Sequence, residues 1–249
     1  MPNQRLSMFE KEKICEFIFE VRYEPSPIIL DKRGMWAKEL TKKLNLPHWT
    51  ITDNRIDVYD LLGPPDNATE RCFISFRNAG WTSKTNKNHN TFLENCSRLI
   101  NFWFSEKEIF PNNEAHLTRV GVKFKYGDEF RGSFSELLDV YKQKYIRPTD
   151  SISDIYNAEI TDIGGFLVLN DEDFKIQTMS GPMDIEQIKN KKFFPFIEEA
   201  PKTILYFEID SSTEPNKFVH FKALETTVKE LVQRNWSSHN RLLNILDAS

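Results

Sequence analysis

Alternation and four-residue spacing assign most of the chain to strands and helices. From Ile14 to Tyr23, the side chains of Phe17, Phe19, Val21 and Tyr23 share one side. Glu16, Ile18, Glu20 and Arg22 take the other, which is the period of a half-buried strand. Pro25 and Pro27 end it. Asp31 to Leu46 places Trp36, Leu40 and Leu44 four residues apart, a helix closed by Pro47. Trp49 to Leu62 reads as strand, with Ile56 and Val58 in phase and a hairpin break at Asp53-Asn54. Arg71 to Arg77 is a further strand. Asn86 to Phe110 carries a helical stripe of Phe92, Cys96, Leu99, Ile100 and Trp103, with Asn90 as its N-cap. His116 to Tyr126 alternates again: Val120, Val122, Phe124 and Tyr126 point inward, and Arg119, Lys123 and Lys125 point outward.

Strand, helix, strand, strand, helix, strand is the order of ferredoxin-like sheets, βαββαβ. In that topology the fourth strand lies antiparallel beside the first, so Glu16 and Glu20 face Lys123 and Lys125 across the ladder. In the second half, Ser133-Phe-Ser-Glu136 is a capping box opening a helix. Strands follow at 158–169 and 174–179, separated by a polar turn at Asn170 to Asp173, then a short helix near 184–191 and a strand at 203–210. Pro215 opens a last long helix. The expected fold is α+β: largely antiparallel sheets backed by helices, with a ferredoxin-like lobe at 1–130 and a second α+β lobe at 131–249 packed on it.

Composition narrows the chemistry. The chain of 249 residues carries 33 Lys and Arg against 37 Asp and Glu, a formal charge of −4, which disfavours a wholesale phosphate binder. Three cysteines, Cys15, Cys72 and Cys96, are far apart and read as buried thiols. Five histidines are singletons with no pair at helical spacing, so no metal site is expected. Nine glycines include no phosphate-cradling turn before a helix. The doublet Gly164-Gly165 precedes a strand and reads as a bend. No apolar run approaches the ~18 residues that span a membrane, and Met1 to Lys13 lacks the apolar stretch of a signal peptide. A cytoplasmic protein without cofactor is the expectation.

Three segments together resemble a known family: Cys15-Glu-Phe-Ile-Phe-Glu-Val-Arg-Tyr23, then Thr118-Arg-Val-Gly-Val-Lys-Phe-Lys-Tyr126, then Ile204-Leu-Tyr-Phe-Glu-Ile-Asp210 before a helix ending in Arg234 and Trp236. The chain resembles a sporadically distributed prokaryotic family of proteins of about this length. The resemblance covers nearly the whole chain. It implies no particular activity; the family's patchy distribution implies mobile-element or defence neighbourhoods.

The function expected from these observations is a non-catalytic protein-interaction module, an accessory or sensor subunit of a defence or toxin system. Its partner would be another protein subunit or a second copy of the chain. The interaction residues expected are Phe193, Phe194 and Phe196, a short non-periodic aromatic run beside Pro195. An alternative is binding of RNA or single-stranded nucleic acid through Arg71, Arg77, Arg119, Lys123 and Lys125, with Phe73 as a stacking residue. A second alternative is a metal-dependent nuclease using Asp171, Asp173 or Asp210.

Overall fold

A computed structural model describes residues 7–84, 89–111, 116–145, 159–171, 173–190, 202–213 and 219–247. The opening alternation forms β1 (Phe9–Tyr23). After a turn come α1 (Ile28–Asp31) and α2 (Arg33–Leu44). Asn45 closes α2 in the left-handed conformation, the usual helix stop when glycine is not used. The hairpin β2 (His48–Ile51) and β3 (Arg55–Tyr59) turns at Asp53-Asn54 as expected, closed by Thr52 N–H donating to the Arg55 carbonyl. Then come β4 (Glu70–Ser75), β5 (Asn78–Ser83), α3 (His89–Trp103) and β6 (Leu117–Phe130). The second half gives α4 (Phe134–Lys144), β7 (Gly165–Asn170), β8 (Phe174–Asp184), α5 (Ile185–Asn190), β9 (Thr203–Thr213) and α6 (Leu224–Asp247). The capping box at Ser133 and Glu136 is present. Asn90 lies inside the first turn of α3, one residue past its start, not at the cap. Pro215 lies outside the described residues, but the last helix does not run on from it as expected: Val219 forms a bridge with Leu117, a single 3-10 turn covers Phe221–Ala223, and α6 begins at Leu224.

The nine strands among the described residues join one antiparallel sheet in the order β2-β3-β4-β5-β1-β6-β9-β8-β7. The α+β, largely antiparallel character is as expected. The ferredoxin-like arrangement of the first half is not confirmed. Four strands, not two, separate α2 from α3, and they form a meander whose last member, β5, pairs antiparallel with β1. The two halves, 1–130 and 131–249, meet inside the sheet, where β6 and β9 run in register from Gly121↔Ser212 to Glu129↔Ile204.

The inward phase of every central strand builds one core with the helices. Phe17, Phe19, Val21, Val122 and Phe124 are at most 2% exposed, and the rings of Phe17, Phe92 and Phe124 pack within 6 Å of one another. The long helices α2, α3, α6 and α4 lie side by side over the same face, following the strand order. Their burial of large side chains such as Trp36, Trp103 and Tyr141 is the main stabilising contribution. Several polar groups enter this core in hydrogen-bonded sets, although Trp36 Nε1 and Tyr126 OH are buried without a hydrogen-bond partner among the described residues. Glu70 accepts from Trp81 Nε1 at 2.7 Å, Ser83 Oγ at 2.8 Å and Asn95 Nδ2 at 3.1 Å, tying α3 to β4 and β5. Asn235 and His239, one turn apart on α6, reach the sheet: Asn235 Nδ2 donates to the Val122 carbonyl at 2.9 Å, and His239 Nε2 lies 2.6 Å from Asp128 Oδ2.

Candidate functional site

The sheet face opposite the long helices is charged. Because parity alternates along each strand, Glu16, Glu20, Arg22, Arg119, Lys123, Lys125, Glu208 and Asp210 all emerge there. Lys125 Nζ lies 2.5 Å from Glu16 Oε2. Lys123 bridges Glu208 at 2.8 Å and Asp210 at 3.6 Å. Arg119 bridges Asp210 at 3.0 Å and Glu20 at 3.6 Å, and Arg22 reaches Glu20 at 2.6 Å. The expected pairing across β1 and β6 is therefore present at Glu16–Lys125. Lys123 instead turns to β9, which lies on the other side of β6, and Glu20 is taken by the two arginines.

This face resembles a stitched seam more than a phosphate-binding surface. Four acids and four bases alternate across β1, β6 and β9, so their fields largely cancel beyond a Debye length of ~8 Å. Arg71 is held in the same manner, 2.5 Å from Asp66 and 3.6 Å from Asp57. Phe73, expected to be free for stacking, is buried, with Arg55 4.3 Å above its ring. Of the five cations assigned to nucleic acid, only Arg77 has no carboxylate partner among the described residues. It is exposed, near the Phe76 ring, and lines a cleft of about 440 Å³ with Arg22, Glu24 and Asn78. Glu24 and the Glu20-bound Arg22 leave that cleft without a concentrated positive charge.

Glu208 sets the pH response of the seam. Burial pushes its carboxyl up, but hydrogen bonds from Lys123 and Tyr206, with the charges of Lys123 and Lys125, outweigh it and hold the group below its ordinary value. A carboxyl depressed by folding contributes stability that is present above its unfolded value and lost as pH falls through the folded value. Glu208→Gln is therefore expected to melt below wild type at pH 7, with the gap closing as the pH is lowered through the acidic range. Thermal melts at pH 7, 5, 4 and 3 check this; a gap that stays constant contradicts it.

Catalytic chemistry has little to stand on among the described residues. Among the described residues, no three His, Cys, Asp or Glu side chains gather where they could hold a metal ion. Asp210 is engaged in the seam, and Asp171 is paired with Arg234 at 2.6 Å. Cys72 and Cys96 are fully buried, and burial pushes both thiols well up, away from the reactive thiolate. The His239–Asp128 pair has no exposure on either side chain, so no substrate reaches it.

The feature that sequence reasoning missed is an edge. Among the described residues β7 is the last strand of the sheet. Its Phe166, Leu167, Val168 and Leu169 are 64%, 44%, 48% and 47% exposed. An uninterrupted apolar run is the pattern of a strand buried on both faces; here both faces stand in solvent. Asp171 N–H donates to the Phe174 carbonyl at 2.9 Å, so Asp171 faces β8. Backbone direction alternates by residue, so Leu169 and Leu167 also face β8. Phe166, Val168 and Asn170 turn their N–H and C=O groups away from the sheet. The clue available in sequence was the run itself, Gly165-Phe-Leu-Val-Leu-Asn170, free of charge and proline. Phe193, Phe194 and Phe196 lie outside the described residues.

No family model, curated protein or solved structure matches the chain. No helix among the described residues is long and apolar enough to cross a membrane.

Proposed function

We propose that the protein is a non-catalytic interaction module that accepts a partner strand along β7. The observation that carries this reading is the uncharged edge strand itself, apolar on both faces, with three residues directing their backbone groups outward. Such an edge is a ready template for strand addition, in which main-chain hydrogen bonds give affinity and alternate side chains give selectivity. The defence or toxin setting implied by the family resemblance belongs to the same proposal, as an accessory subunit that docks another chain. The nucleic-acid alternative draws less support from the geometry, because four of its five cations already hold carboxylates.

A labelled peptide carrying residues 164–171, flanked by lysines for solubility, tests the edge directly. Saturable binding to the wild-type protein is expected, with loss of binding in Val168→Pro, which removes an outward N–H without touching the β8 ladder. Fluorescence anisotropy with no saturable change up to millimolar protein contradicts the reading.

A further inference from the structure

The two ends of the sheet are built differently. At one end β2 has four residues, and Pro47, which lacks an N–H, stands directly before it. Thr52 faces β3 through its N–H, so by alternation only Trp49 and Ile51 in β2 turn their backbone groups outward. Short length and a flanking proline are the devices by which proteins blunt sheet edges. At the other end β7 has six residues, no proline, no charge and three outward-facing residues. Nothing in its sequence discourages pairing. In a contact between copies, the edge best able to complete β7 is therefore another β7.

We propose that β7 pairs antiparallel with β7 of a second copy across a two-fold axis at Val168. The inference rests on the reading of β7 as a docking edge and names its occupant. In this register Val168 faces Val168 of the second copy, and Phe166 faces Asn170. Every outward N–H and C=O then has a partner, giving about six main-chain hydrogen bonds. Leu167 faces Leu169 of the second copy on the helix side of the joined sheet. A register centred on Leu167 would place Asn170 against Gly164, which lies outside the strand, and so uses the rim less fully. With no charged residue in the strand, no like charges within the paired segment oppose one another. Two six-residue strands, each about 20 Å long, cover less than the roughly 1,200 Å² at which stable complexes begin. The dimer is therefore reversible and depends on concentration.

Sedimentation equilibrium from low micromolar to millimolar protein, with charge-swapped variants, tests this. Wild type is expected to shift from monomer to dimer. Val168→Lys and Val168→Asp each place like charges on the axis and should raise the dissociation constant about tenfold or more. Mixed in equal amounts, the two variants should recover the dimer, which loss of folding cannot imitate. Val168→Pro should also dissociate, and Trp49→Lys, at the opposite edge, should dimerise as wild type does. Failure of the mixture to recover the dimer overturns the two-fold register. Wild-type protein that stays monomeric yet binds the 164–171 peptide overturns self-pairing while leaving the docking edge intact. Monomeric protein that binds no peptide overturns both.

Discussion

Replacing His239 with alanine is expected to cost about 3–5 kcal/mol of folding stability, lowering the melting temperature by about 6–20 °C in a chain of this size. Two losses combine. The imidazole lies 2.6 Å from Asp128 Oδ2, with both side chains at zero exposure, so the variant strips a buried carboxylate of this partner. The ring also stacks on Tyr126, centroids 3.7 Å apart and planes within 9°, and lies 5.7 Å from Phe207. These contacts pin α6 to β6 and β9, the two strands that join the halves of the chain. His239→Phe separates the terms: it restores the stacked ring and should recover only part of the loss, because the hydrogen bond between the imidazole and Asp128 is still missing. Urea unfolding of both variants measures this. A loss below 1 kcal/mol for His239→Ala contradicts the pinning role.

Gly80→Ala is expected to be nearly as damaging, at about 3 kcal/mol or more. Gly80 lies at the crowded centre of the sheet, opposite Glu20 on β1 and Phe73 on β4. A Cβ there would collide with the Phe19 carbonyl oxygen and the Phe73 ring, coming within 2.7 Å of Phe73 Cε1. The carbonyl belongs to a ladder strand and cannot swing aside, so relief requires β5 to move off β1. Gly34 is the control. It sits in α2 with no atom within 4 Å of its would-be Cβ, so Gly34→Ala should raise stability by up to about 1 kcal/mol. Thermal melts of the two variants should shift in opposite directions; equal shifts would show that crowding at Gly80 is not what fixes that position.

Gly80 also explains why part of the fold was hidden. Asn78-Ala-Gly-Trp-Thr-Ser83 has turn-forming residues in strand positions, so no strand is read there, and the meander of four strands is mistaken for the simpler βαββαβ. The glycine serves the neighbouring Phe73 ring, a tertiary reason that local pattern does not carry. By contrast, β1 and β6, strands of fifteen and fourteen residues, were legible over residues 14–23 and 116–126, where clean alternation leaves one face apolar. The antiparallel match of Glu16 with Lys125 followed from parity and charge. The engagement of Lys123 did not, because its partners arrive on β9, which is more than 80 residues away in the chain. Asn235 and His239 were passed over since the apolar stripe defines the helix, while its two buried polar residues decide how α6 is seated. β7 was legible as a strand over residues 166–169, but the strand expected from 158 begins only at Gly165. Its place at the end of the sheet depends on the order of the other eight strands.

That position is the basis for proposing β7 as the docking edge. The opposite face is closed by its own ion pairs, the helix face is filled by aromatic and aliphatic side chains, and the β2 end is blunted. Amide hydrogen exchange, resolved by residue along β7 at several protein concentrations, tests the docking edge most directly. Leu167 and Leu169, bonded inward to β8, should be protected at every concentration. Phe166, Val168 and Asn170 should exchange freely in dilute protein and become protected as the concentration rises. Outward amides already protected in the dilute monomer would contradict the docking edge, and outward amides that exchange freely at all concentrations would contradict its self-pairing.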